Sequence, residues 1–526
     1  MTSMRRALWF ACAIVASGTT LAAAMPTGGS VRQGGVFRVA GAPDSIDPAV
    51  TIDAGDVLTA TCARLMANPD KPAPEGTRLV PEAATGYPVV SPDGKTFTFT
   101  IRHGIRFNTG EAVTAQSFAH GIARVLDPAT KSPWLQYVQD IVGAGDVRKG
   151  KSTTVLGVVV RGDKLIIRLT HATPDFPARV TNTTFCAVPA DLPVTPEGVS
   201  VLPGAGPYYI DEFVPSQKLV LKRNPLYRGS RPHHVDKIVF ASAADAVQAV
   251  EAGAADYAET DPIALASVKG KYRKQLHAVP SAAIRFVILN ASGGLFKDNA
   301  PLRQAVNFAI DRRALIRERG GPITGRPTDQ YLPASMPGFV DAKIYPLYFP
   351  NLAKAKALAR GHTRNGKAAL WIKDTPTDIA QAQIVQRNLK PIGIDVSVRK
   401  FPGPALFQRL FTPGSAFDMT LVGFGPDYFD PYAMLNVLFD GRLIGTPYSF
   451  NLGYFNSPRF NALFDRASRL TGSARYRTYG KLDVELARDQ APMAAYENES
   501  ILTFVSTRTG CLVLNPFLDL AAVCLK

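Results

Sequence analysis

Residues 145–152 read Gly-Asp-Val-Arg-Lys-Gly-Lys-Ser and satisfy the phosphate-loop formula G-x-x-x-x-G-K-[ST]. In a nucleotide site that formula works because a helix opens at the lysine, so its N-terminal N–H groups and dipole meet the phosphates. Here Ser152 runs into Thr153, Thr154, Val155, Leu156, Gly157, Val158, Val159 and Val160. A β-branched run with a glycine in it reads as strand, so the context fails the chemistry and the stretch reads as a polar surface loop. Other catalytic signatures are missing from the sequence: there is no G-x-S-x-G, no H-E-x-x-H and no C-x-x-C. The seven histidines are scattered, and the adjacent His233 and His234 cannot both face one metal from a regular strand. No cofactor and no metal is expected. One segment does have the make-up of a recognition site. Residues 422–431 read Val-Gly-Phe-Gly-Pro-Asp-Tyr-Phe-Asp-Pro. Gly423 and Gly425 let a ligand approach the backbone, the Phe and Tyr rings offer flat apolar walls, and the two carboxylates, Asp427 and Asp430, offer a countercharge for an ammonium group. The same residues also fit an ordinary strand-end turn, with Asp430 and Pro431 opening a helix.

The elements that must hold such a segment are legible in the hydrophobic periodicity. Residues 95–102 alternate, with Phe97, Phe99 and Ile101 on one face and threonines on the other, as in a half-buried strand. Residues 91–94, Ser-Pro-Asp-Gly, form the turn before it. Thr114 then caps a helix whose apolar face carries Phe118, Ile122, Val125 and Leu126, and Asp127-Pro128 stops it. Residues 158–160 and 165–169 read as a hairpin, 219–221 and 238–240 as strands, and 243–252 as a helix ended by Gly253. From Ile284 the texture changes to units of strand and helix: strand 284–289, helix 301–310, a helix capped by Asp311, helix 379–389, strand 394–398 after the Pro391–Gly393 break, and a helix opened by Ser457-Pro458. A strand over 419–422 leads into the candidate segment. The fold class is α/β.

The chain has 526 residues, 46% of them hydrophobic, and a formal charge of +16. That length calls for two or three domains. Arg5 and Arg6, a short apolar run over 8–16 and the small residues at 21–24 read as an export signal over residues 1–24. Cys12 lacks the flanking residues of a lipidation site, so no lipid anchor is expected. Losing the signal removes Arg5 and Arg6 and no acid, which takes the charge from +16 to +14. The basic residues form no run and no aromatic-interleaved patch, so nucleic acid is not an expected partner. Four cysteines remain: Cys62, Cys186, Cys511 and Cys524. An even count in an exported chain fits two disulfides, with three possible connectivities. Asn515-Pro516 suits a hairpin between Cys511 and Cys524, which favours that bond and leaves Cys62 with Cys186; four buried thiols are the alternative.

The order of several short motifs resembles the extracytoplasmic dipeptide- and oligopeptide-binding proteins of ABC importers, a group that also includes nickel binders. Ser45-Ile46-Asp47-Pro48 is similar to its N-terminal L-D-P. Residues 81–84 (Pro-Glu-Ala-Ala), 91–99 and 101–107 resemble its longest signature. Residues 204–208 (Gly-Ala-Gly-Pro-Tyr), 223–227 (Arg-Asn-Pro-Leu-Tyr) and 303–312 resemble its G-x-G-P-Y, R-N-P-x-Y and R-Q-A-x-x-x-A-I-D-R. The resemblance spans nearly the whole mature chain. It implies two α/β lobes with a ligand between them: lobe I over 34–280 with a small subdomain at about 60–180, lobe II over 281–495, and a return to lobe I over 496–526. It implies binding of short peptides, lobe closure and delivery to ABC permease subunits, by a monomer in the periplasm or cell envelope. In the family's W-x-x-D-Y-x-x-P segment the aspartate holds the ligand α-ammonium; Asp427 stands there, Tyr428 follows, and Phe424 replaces the tryptophan. Phe185, Asp44 and Ser45 are further candidates for the lobe I wall. Alternatives within the fold are a nickel chelate, an opine or an oligosaccharide. From other classes, a secreted hydrolase needs a nucleophile and base that no motif supplies, and an envelope interaction protein would carry a degenerate cleft.

Overall fold

The computed structural model describes residues 31–72, 75–260, 274–446, 449–513, 515 and 518–526. The expected export signal and Cys12 lie outside them. The chain builds two α/β lobes. In the first, Val36–Ala40 runs parallel to Lys237–Ala241 and to Tyr257–Thr260, and Lys237–Ala241 continues antiparallel into Lys218–Arg223 and Tyr208–Val214. Phe37, Ile238, Leu219 and Leu221 fill the core beneath this sheet. In the second, Lys367–Lys373 runs parallel to both Asp395–Phe401 and Met419–Phe424. The helix Pro376–Leu389 makes the crossover between the first two of these strands. A parallel pair requires such a crossover.

Two long strands tie the lobes together. Leu276–Leu289 pairs antiparallel with Met493–Val505 along most of its length, with a break in register between Pro280 and Ile284. On one side of that break Met493–Val505 also pairs with Tyr257–Thr260 of the first lobe. On the other side Leu276–Leu289 pairs with Met419–Phe424 of the second. Register shifts bend and twist a ladder locally.

A separate four-stranded antiparallel sheet, Val89–Val90, Thr96–Thr100, Lys164–Arg168 and Val158–Arg161, sits on the first lobe. Phe97 and Phe99 point inward, as the alternation predicts, and meet the helix Ala115–Leu126 through Phe118 and Ile122 in one core. Cys62–Cys186 and Cys511–Cys524 are both closed, with Cα separations of 5.5 Å and 5.3 Å.

The family-like motifs turn out to be scaffold. Asp47 is fully buried and receives both guanidinium nitrogens of Arg124, at 2.8 Å and 2.5 Å. Glu82 accepts from Arg64 and Arg231, each at 3.1 Å. Asn224 donates to the Gly206 carbonyl at 3.0 Å, and a Cβ on Gly206 would lie 2.6 Å from the Ala60 carbonyl oxygen, so that position admits only glycine. Arg312 donates to the carbonyls of Ala495 at 2.8 Å and Thr328 at 3.0 Å, which docks its helix on the long strand.

Two expectations need correction. The helix read over 243–252 is Ala246–Glu251, because the Asp245 carboxylate accepts from the Gln248 N–H at 2.9 Å and fixes the helix start there. Within the phosphate-loop pattern the helix Ala144–Arg148 ends before Lys151, which removes the nucleotide geometry, but the following strand starts only at Val158. Residues 153–157 are a turn, with the Gly157 N–H donating to the Val142 carbonyl at 2.7 Å. Among the described residues no three His, Cys, Asp or Glu side chains are grouped to hold a metal ion.

Candidate functional site

The strand Met419–Phe424 carries the candidate segment to the junction of the lobes. Its ladder with Leu276–Leu289 ends at the Phe424–Ile284 pair, so residues 425–427 run on without a strand partner. Three side chains of this connection then diverge. Tyr428 reaches into the core of the first lobe, where its hydroxyl donates to the Asp175 carboxylate at 2.8 Å. Asp430 turns back into the second lobe, where Arg475 donates to both its oxygens, at 3.0 Å and 2.7 Å. It also accepts from the Tyr432 N–H at 2.9 Å, at the start of the helix Tyr432–Phe439. Asp427 faces open space between the lobes.

Asp427 is exposed to that space yet ringed by protein, so water screens it poorly. Burial pushes its carboxyl above the usual carboxylate range, and the hydroxyl of Tyr137, which donates to it across the cleft, opposes the shift. Burial and the facing carboxylate push the Tyr137 hydroxyl well above its ordinary value, so it stays protonated as a donor. No cation pairs with Asp427 among the described residues, whereas Asp430, Asp47 and Asp140 each have a guanidinium. An ionised carboxylate in a poorly hydrated site is costly unless it is paired.

Asp427 and Pro426 form the wall between two cavities. One, of about 490 Å³, is lined by Phe424, Phe450, Phe411, Tyr432 and Tyr137. The Phe424 and Phe450 rings lie 4.9 Å apart. The other, of about 330 Å³, is lined by Trp134, Asp56, Asp70, Glu259, Thr503 and Asp519. Such volumes suit small organic ligands, with aromatic walls for shape and a few polar groups for orientation.

The structure places the sequence candidates unequally. Asp427, Phe424 and the exposed Gly425 meet at the cleft. Tyr428 borders the larger cavity but is mainly a pin between lobes, at 4% exposure. Phe185 lies in the first-lobe core, packed edge-on against Phe176, and not on the cleft surface; the Cys62–Cys186 bond holds its neighbour in the interior. Asp44 and Ser45 lie in a surface turn, where the Ser216 hydroxyl donates to Asp44 and the Ser45 hydroxyl accepts from the Asp47 N–H at 3.3 Å. Neither lines the two cavities beside Asp427. Sequence reasoning missed Tyr137, Asp56, Asp70 and Glu259. Tyr137 and Asp427 are 290 residues apart, and no local pattern links them.

The family model of the bacterial extracellular solute-binding proteins, family 5 Middle, matches residues 78–445. The periplasmic oligopeptide-binding protein OppA of Escherichia coli (strain K12) is 24% identical over 431 residues, covering 77% of each chain. The periplasmic murein peptide-binding protein MppA of the same organism is 27% identical over 521 residues, covering 92% of this chain and 91% of the relative. Among solved structures, clavulanic acid biosynthesis oligopeptide binding protein 2 overlays with a TM-score of 0.83 at 23% identity, covering 94% of this chain and 96% of that one. Among the described residues no helix is long and apolar enough to cross a membrane.

Proposed function

We propose that this chain, which belongs to the bacterial extracellular solute-binding proteins of family 5, captures short peptides between its lobes and delivers them to an ABC importer. The observation that carries the reading is Asp427: a carboxylate at the wall shared by two cavities, held by a tyrosine hydroxyl and paired with no cation among the described residues. A peptide α-ammonium supplies the missing charge and displaces or shares the Tyr137 donor. Phe424 and Phe450 flank an adjoining side chain, and Gly425 leaves the backbone open to the ligand main chain. Closure pivots near the register break between Pro280 and Ile284, with lobe I taken as 34–280 and 496–526 and lobe II as 281–495. Binding is the whole activity: the protein acts as an exported, unlipidated monomer, releases its cargo unchanged to permease subunits and is not an enzyme.

Titration calorimetry with a set of short peptides tests this. The Asp427→Ala variant should fold normally and lose about 2–5 kcal/mol of peptide affinity, as expected when one partner of a desolvated charge pair is removed. Unchanged affinity would overturn the assignment of Asp427. Turnover of peptides by the purified protein would overturn the non-enzymatic reading.

A further inference from the structure

The smaller cavity beside Asp427 is unusually acidic for a chain of net charge +16. Five carboxylates line it: Asp56, Asp70, Glu259, Asp427 and Asp519. Only Asp519 has a cation, Arg231, at 2.8 Å. Arg64, which also lines the cavity, is committed to Glu82 at 3.1 Å. Asp56, Asp70, Glu259 and Asp427 have no ion-pair partner among the described residues. Burial and repulsion follow: Asp56 is pushed up to about 7 by burial and by Glu259 and Asp519, and Asp70 is pushed up to about 7 by burial and by Asp519, against the opposing pull of Arg231. An independent observation points the same way. Thr503 is 3% exposed, lines this cavity, and its hydroxyl has no hydrogen-bond partner; the Asp70 Oδ1 atom is likewise without one. Buried polar atoms are ordinarily satisfied, so the wall lacks donors that a ligand would bring. The carboxylates are too dispersed to enclose a metal ion. Their spread over a cavity of about 330 Å³ suits a larger, multi-donor organic cation.

We propose that this cavity is a subsite for a second cationic group, the ammonium or guanidinium of a basic side chain. The preferred ligand is then a short peptide with a Lys- or Arg-type residue close to its free amino terminus. The inference rests on the reading of Asp427 as the site of the α-ammonium, and it adds a side-chain class that the reading alone does not specify. Asp56, Asp70 and Glu259 receive the side-chain cation, and Thr503 orients the surrounding wall.

The test is calorimetry of the full mature protein with three probes: Lys-Ala-Ala, norleucine-Ala-Ala and free 1,5-diaminopentane. The lysine peptide should bind at least about tenfold more tightly than its neutral isostere, a factor that corresponds to about 1.4 kcal/mol. The ratio should collapse towards unity in Glu259→Gln and, separately, in Asp56→Asn; using two single variants guards against a folding defect in either. Equal affinity for the two peptides would overturn the subsite and leave peptide capture standing. A preference for lysine that survives both variants would also overturn it, by placing the cation elsewhere. Binding of the diamine alone, weakened in Glu259→Gln, would support the cation subsite and refute peptide capture. Binding of none of the three would refute both.

Discussion

Asp427 and Asp430 lie three residues apart on one connection and meet opposite surroundings. Asp430 is buried in the second lobe with Arg475 donating to both oxygens. Asp427 faces the cleft with one tyrosine hydroxyl and no cation among the described residues. The contrast extends to the regions around them. In the lobe interiors Asp47 has Arg124, Asp140 has Arg179, and Asp483 accepts from Gln330 at 3.0 Å and from the Tyr331 N–H at 2.9 Å. Around the smaller cavity Asp56 is repelled by Glu259 and Asp519 and Asp70 by Asp519, and Asp56, Asp70 and Glu259 have no ion pair among the described residues. Folding thus gives each of these interior carboxylates donors of its own, whereas on the proposed reading the cleft carboxylates meet theirs in a ligand. The two regions separate stability from binding.

Substitutions can break or sharpen that separation. The largest effect is expected on the interior side. Arg475→Met leaves the Asp430 carboxylate buried without its partner and should cost about 3–5 kcal/mol in denaturant unfolding. A loss below about 1 kcal/mol would erase the contrast, because surface pairs behave that way. Tyr428→Phe removes a buried donor to Asp175 and should cost about 1.5–3 kcal/mol, with Asp175 left short of a partner. The cleft carboxylates predict a pH effect next in size. Asp56 and Asp70 are raised from 3.8 to about 7, so the folded protein holds protons there that the unfolded chain has lost. Their contribution is complete below pH 3.8 and is lost as pH rises through about 7, so the ligand-free protein should melt lower at pH 8 than at pH 5. Asp483 and Glu497, also raised to about 7, contribute with the same sign, and His234 and His277, lowered by burial, with the opposite one, so the diagnostic is a shallower pH slope in Asp56→Asn than in the parent. Parallel slopes would refute the raised Asp56 carboxyl. The smallest stability effect belongs to Asp427→Asn, expected within about 1 kcal/mol of the parent because no ion pair is lost, even as ligand affinity falls.

The same division explains what was legible in the sequence. The alternation of Phe97 and Phe99, the capping of the helix after Asp311, and the crossover through Pro376–Leu389 are local patterns that the structure repeats. The motifs in residues 45–48, 81–84, 204–208, 223–227 and 303–312 are equally readable, and they fix scaffold contacts such as Asp47–Arg124 and Asn224–Gly206. Of the proposed site, Asp427 and Phe424 were recognisable because they sit in one compact segment after a strand. Tyr137, Asp70 and Glu259 were not, since they come from distant parts of the chain and meet only when the lobes pack. Asp56 has an adequate local reading as an acid in the first turn of the helix Gly55–Thr61, which conceals its place in the cavity wall. Phe185 shows the reverse error: a residue beside a recognisable cysteine belongs to the core that the disulfide closes.

The most direct test of peptide capture is native mass spectrometry of the mature protein purified from an exporting host, followed by denaturation to release and identify the cargo. The expected result is a ladder of short peptides, enriched in those with a basic residue near the amino terminus. A sugar, a metal chelate or consistently empty protein would contradict it.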